Sequence, residues 1–114
     1  MINAFNFTKK DEINSMSSTP LQKVTGNVVT VTGCAITERP DEATGEPKKV
    51  GILVTEEFGT LSTISGTAIK SLDMIIDYMT DLAGEADGEL VAVQVNIKSA
   101  KSNSGRDFIT LEIV

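Results

Sequence analysis

Residues 24–39 read VTGNVVTVTGCAITER. Val and Thr dominate, and β-branched residues favour pleated sheet over helix. Strict alternation puts Val29, Val31, Gly33 and Ala35 on one face of a long strand, and Val28, Thr30, Thr32 and Cys34 on the other. Glycine inside such a run packs nothing and marks a bulge or sharp bend. The stretch therefore predicts one long bent strand, of the kind that two halves of a curled sheet can share.

Outward from that strand, RPDEATGEPKK is turn chemistry, with Pro40, Gly45 and Pro47 beside Asp41 and Thr44. VGILVT is an apolar and hence central strand, EEFG a tight turn, and TLSTIS a half-polar strand, so the first three strands form a meander. Residues 67–83 then change period. Ile69, Leu72, Ile75, Ile76, Met79 and Leu82 recur at spacings of three and four, the mark of an amphipathic helix. Ser65 or Thr67 would cap its start and Gly84 would stop it. Asp73, Asp77 and Asp81 form a stripe on the opposite side. Like charges at i, i+4 repel, and carboxylates in a row do not surround a metal ion, so the stripe is a solvated face. LVAVQVNIKS directs Val91, Val93, Val95 and Ile97 inward. After the AKSNSG turn, RDFITLEIV directs Ile109, Leu111 and Ile113 inward, with Arg106, Phe108, Thr110 and Glu112 outward.

The order is β-β-β-α-β-β. That is a mostly β chain matching a five-stranded OB barrel, with its one helix between strands three and four. Residues 21–114 form this domain, and residues 1–20 read as an N-terminal arm in which Thr8 caps a short helix. A chain of 114 residues suits a single core. With Phe 4, Tyr 1 and Trp 0 that core is aliphatic.

Composition also excludes chemistry. With no His and one Cys, the chain lacks the ligand sets of zinc sites and the general base of hydrolytic triads. SNSG and STISG are strand turns and not nucleophile elbows, so we expect neither an enzyme, nor a metal, nor a cofactor. No apolar run approaches the roughly 20 residues of a spanning helix, and MINAFNFTKKDE lacks a signal-peptide core, which points to the cytoplasm and away from membranes.

Net charge is −6, which disfavours coating duplex DNA by bulk charge but allows a local cationic track. An OB barrel binds ligands across strands two and three and on the loops joining strands one-two and four-five, here residues 38–48 and 99–105. Lys98, Lys101 and Arg106 gather at the second loop. Phe108 lies two residues beyond Arg106 on the same face and points away from the core. A nucleic-acid base would cover it by stacking, while the cations neutralise phosphates. Phe108 would equally be covered by the arm or by a second subunit. Phe58 at the EEFG turn is either a second stacking residue or a turn plug. Lys48 and Lys49 flank the first loop, whose four carboxylates oppose them.

The segments LQKVTGNVVTVTGCAITE, TGEPKK, KSLDMIIDYM and above all KSAKSNSGRDFITLEIV (98–114) resemble the small single-stranded DNA-binding proteins of tailed bacteriophages. The resemblance covers residues 21–114. It implies an OB-fold protein that coats and protects single strands during phage replication or recombination in the host cytoplasm, without sequence preference. A lone small groove would bind weakly, so we expect homodimers or cooperative oligomers, with phage replication or recombination proteins as further partners. Lys98, Lys101, Gly105, Arg106 and Phe108 match the closing motif, and Lys48 and Lys49 the basic start of strand two. The absence of Trp limits stacking capacity. The absence of an acidic tail after Val114 argues against tail-mediated recruitment. A different reading is a phage structural or assembly β-barrel that uses Phe58 and Phe108 as protein-interface anchors.

Overall fold

In the computed structural model, residues 2–85, 91–101, 103–105 and 107–114 are described. The strands are β1 (Asn3–Phe5), β2 (Thr19–Pro20), β3 (Val28–Pro40), β4 (Pro47–Thr55), β5 (Gly59–Thr63), β6 (Val93–Lys101) and β7 (Asp107–Ile113). The helices are α1 (Lys9–Asn14) and α2 (Gly66–Glu85). Among the described residues all seven strands join one curled sheet, ordered β2-β5-β4-β3-β6-β7, with β1 on the remaining edge of β3. The fold is mostly β with α2 between β5 and β6, consistent with an OB-like topology. The expectation of five strands is corrected to seven. The two additions are short and come from the first 20 residues, which have no alternation to betray them.

β3 is the shared strand. Its first part, Val28 to Val31, pairs with β6, and the rest pairs with β4. The register shifts between Val31 and Gly33, a bulge where the glycine led us to expect one. Its consequence is a change of phase. Val29 and Val31 enter the core, but beyond the bulge Cys34 and Ile36 do so, not Gly33 and Ala35 as unbroken alternation predicted. One extra residue turns every later side chain to the other face.

α2 closes the core with Ala68, Ile69, Leu72, Ile75, Ile76 and Met79, which pack with Leu53, Leu61, Val95 and Ile97. Ser65 caps the helix, its hydroxyl accepting from the Ala68 N–H at 3.5 Å and its carbonyl from Ile69 at 2.9 Å. The helix comes close because Gly51 has no side chain: a Cβ there would sit 2.9 Å from Leu72 Cδ2. Gly84 does not stop α2, which continues to Glu85. Glycine ends a helix only where it turns left-handed, and Gly84 carries no positive φ.

The leading segment is built onto the sheet. Thr8 caps α1 in a reciprocal box with Asp11. β1 lies antiparallel on β3 at Cys34, Ala35 and Ile36, and β2 lies parallel on the far edge at β5. Residues 6–18 must cross between those edges. Register places Ala35, Ile52 and Ser62 on the face opposite the core, and Ala35 and Ile52 are nonetheless fully buried. Ser18 and Ser62 share a hydroxyl hydrogen bond of 2.7 Å, and Arg39 donates to Ser15, itself only 2 % exposed. Residues 6–18 thus cover the outer face of β3, β4 and β5. Asn6 holds the crossing, its Nδ2 donating to the Thr32 carbonyl at 2.9 Å.

Candidate nucleic-acid interface

The β6–β7 hairpin carries the cationic end of the chain. Its register pairs Lys98 with Thr110, Ala100 with Phe108 and Lys101 with Asp107. Paired residues share a face and successive residues alternate. Lys98 and Phe108 therefore lie on one face as diagonal neighbours, their Cα atoms about 7–8 Å apart. Lys101 lies on the other face, the side of Ile109 and the core. The sequence expectation that Lys98 and Lys101 gather at one edge is corrected: three residues apart on a strand, they point to opposite sides. Arg106 lies outside the described residues. Phe108 is half-buried and borders a hollow of about 300 Å³ with Gln22, Thr25 and Ser99.

Lys98 is ion-paired, its Nζ 2.6 Å from Glu112 Oε2. Both side chains are largely exposed, and pairs of that kind contribute about 0–1 kcal/mol. A phosphate can therefore displace Glu112 at little cost.

Phe58 stands at the β4–β5 turn and is 43 % exposed, so it does not plug the turn. Its backbone is fixed. The Phe58 N–H donates to Thr55 Oγ1 at 3.1 Å, and the Thr55 hydroxyl donates to the Gly59 carbonyl at 2.8 Å. Glu57 pins the same turn to β3 by accepting from the Thr30 N–H at 2.7 Å and hydroxyl at 2.8 Å. These two donors hold the Glu57 carboxyl below its ordinary range, because they favour the ionised form.

Lys48 and Lys49 begin β4, seven steps or roughly 23 Å from Thr55 along the strand. They are not brought together with Phe58. Lys48 Nζ lies 3.6 Å from Asp41. The Asp41 carboxyl is held below its usual range first by the Ala43 and Thr44 N–H groups and further by Lys48. One loop acid is thereby turned onto its own turn. Lys49 lies opposite Glu38 in register but forms no ion pair among the described residues. Lys70, which the sequence reading passed over, comes up beside Lys48 and Lys49 from the first turns of α2. Its distance along the chain hid it, and the basic residue three positions after the Thr67 start was the available signal.

The outer face of β4 and β5, where barrels of this topology take ligands, is where residues 6–18 cross. The outer face of the β6–β7 hairpin, where Lys98 is paired with Glu112, and the rim at the start of β4 carry the candidate cations.

Comparison with known families gives a match for residues 5–114, to the phage single-stranded DNA-binding protein family. Comparison with curated proteins and with solved structures gives no match. The match takes in strands β2 to β7, both helices and the last residue of β1, so the chain belongs to the family of phage single-stranded DNA-binding proteins.

Proposed function

We propose that this protein coats and protects single-stranded DNA, without sequence preference, during replication or recombination of a tailed phage in the host cytoplasm. The family match over residues 5–114 is the observation that carries this reading. The chain is a binding protein and not an enzyme. β3 to β7 serve as a five-stranded OB barrel spanning residues 21–114, with residues 1–20 as an arm laid on it. Lys48, Lys49, Lys98, Lys101 and Arg106 neutralise phosphates, and Phe58 and Phe108 stack on bases. Stacking and phosphate contacts tolerate any sequence, because every base has a π-face and every nucleotide a charge. The shared face of Lys98 and Phe108 supports this division of labour. A single small groove binds weakly, so a homodimer or cooperative array raises the effective concentration along a strand. Phage replication or recombination proteins are the partners such a filament would meet.

Fluorescence anisotropy with oligo-dT and with duplex of equal length tests the reading. Oligo-dT is expected to bind at least tenfold more tightly, with affinity falling steeply as salt rises. Equal affinity for both, or binding indifferent to salt, would contradict it. Phe108→Ala together with Arg106→Ala should abolish most of the oligo-dT affinity while the melting curve holds. Parental binding by that variant would remove the hairpin from the site.

A further inference from the structure

Three hollows in the surface follow one another through shared lining residues. One of about 450 Å³ is bordered by Lys48, Lys49, Lys70 and Ile64. Ile64 also borders a second, of about 490 Å³, between Pro20–Gln22, the end of β5 and Asp107. Gln22 and Asp107 in turn border the third, beside Phe108. Together they make a furrow along the seam between β5 and β7. Those two strands are not hydrogen-bonded to each other. β2 and the single turn Leu21–Val24 fill the gap instead, and the furrow runs over them.

We propose that one DNA single strand follows this seam, with Lys49 and Lys70 as phosphate contacts at one end, Ile64 as an apolar seat for a base or sugar, and at the other end the Ser99–Asp107 edge of the hairpin, around which the strand reaches Phe108 on the opposite face. The proposal rests on the single-strand reading above and specifies its path. Three observations favour it over the outer face of β4 and β5. That face is covered by residues 6–18, with Ala35 and Ile52 wholly buried beneath them. Lys70 has no ion-pair partner among the described residues, and Lys49 forms none either, although Glu38 lies opposite it in register, so neither ammonium group is tied up where the furrow begins. Ile64 is 65 % exposed between three lysines. An exposed apolar side chain in the same hollow as lysines complements a nucleotide, which presents an apolar base beside an anionic phosphate. Among the described residues that line the furrow Asp107 is the one acidic side chain, and it lies opposite Lys101 in register.

The test is a salt titration of oligo-dT binding to the full chain. Each phosphate contact on a single strand adds about 0.7 to the slope of log K against log salt. Lys49→Ala with Lys70→Ala should therefore flatten the slope by about 1.4 and lower low-salt affinity at least tenfold. Lys9→Ala with Lys10→Ala, on α1 away from the seam, should leave both unchanged. Ile64→Ser should lower affinity severalfold without altering the slope, which separates its apolar role from loss of charge. Circular dichroism melts of each variant confirm that the fold persists. If Lys49→Ala/Lys70→Ala keeps the parental slope while Phe108→Ala loses affinity, the seam path is wrong and the single-strand reading stands. If the parent does not bind oligo-dT, the reading falls and the seam with it.

Discussion

Gly33→Ala probes the crossing of the leading segment more sharply than any truncation. An added Cβ would lie 2.5 Å from the Asn6 carbonyl oxygen and 3.3 Å from its carbon. Both are backbone atoms, so no rotamer change relieves the clash. Residues 5 and 6 must lift away from β3. The Asn6–Thr32 hydrogen bond (2.9 Å) and that between the Ile2 N–H and the Ile36 carbonyl (2.8 Å) are then strained or lost, at about 1 kcal/mol each. Ile52, fully buried under the segment, regains part of its exposure, and complete burial of such a side chain stabilises by about 1.5–3 kcal/mol. The sum is a destabilisation of about 2–4 kcal/mol, or a melting temperature lower by roughly 8–16 °C in a domain of this size. Gly84→Ala is the control. Nothing lies within 4 Å of its added Cβ, and replacing a helical glycine should stabilise by up to ~1 kcal/mol. Thermal melts followed by circular dichroism, with limited trypsin digestion at Lys9 and Lys10, read both effects. The Gly33 variant should melt early and be cut faster at those lysines. If it melts with the parent and resists trypsin equally, the segment does not cross against Gly33 as described.

Three further outcomes follow from single contacts. Glu112→Gln frees Lys98 and should raise oligo-dT affinity by up to about fivefold, the equivalent of a surface pair of up to ~1 kcal/mol, and Lys98→Ala should lower it; parental affinity in Lys98→Ala would show that Lys98 meets no phosphate. Cys34 is buried 3.8 Å from Met79 Sδ and burial pushes its thiol up to about 12, so a thiol reagent at neutral pH should label it only as fast as the chain unfolds, whereas immediate labelling would contradict its burial. The Glu57 and Asp41 carboxyls are depressed in the folded chain, so each stabilises it above the unfolded pKa, and the contribution disappears as pH falls through the folded value. Urea midpoints should drop on acidification below about pH 4, and Glu57→Gln should flatten that drop; an identical pH profile would free the Phe58 turn from Thr30.

Much of this fold was legible because its burial is periodic. Val91, Val93, Val95 and Ile97 alternate and are all buried, and Ile69 to Met79 mark the helix face that meets the sheet. The bulge was legible from Gly33, but not its effect on phase: whether Cys34 or Ala35 faces the core depends on an extra residue that propensity cannot count. The covering segment was illegible for another reason. Its ties are long-range and polar, Asn6 to Thr32, Ser15 to Arg39 and Ser18 to Ser62, and none has a period. At the candidate site the shared face of Lys98 and Phe108 was readable by parity once the hairpin was assumed. The same arithmetic would have placed Lys101 on the opposite face. Lys70 was hidden because only the packing of α2 on Gly51 brings it near Lys48 and Lys49.

Hydrogen–deuterium exchange of the full chain, free and saturated with oligo-dT, tests most directly where the strand lies. Slowed exchange is expected in the hairpin of β6 and β7 and in residues 62–70 along the seam, with α1 unchanged. Protection confined to α1 and the acidic stripe of α2, or no protection at saturation, would contradict the account.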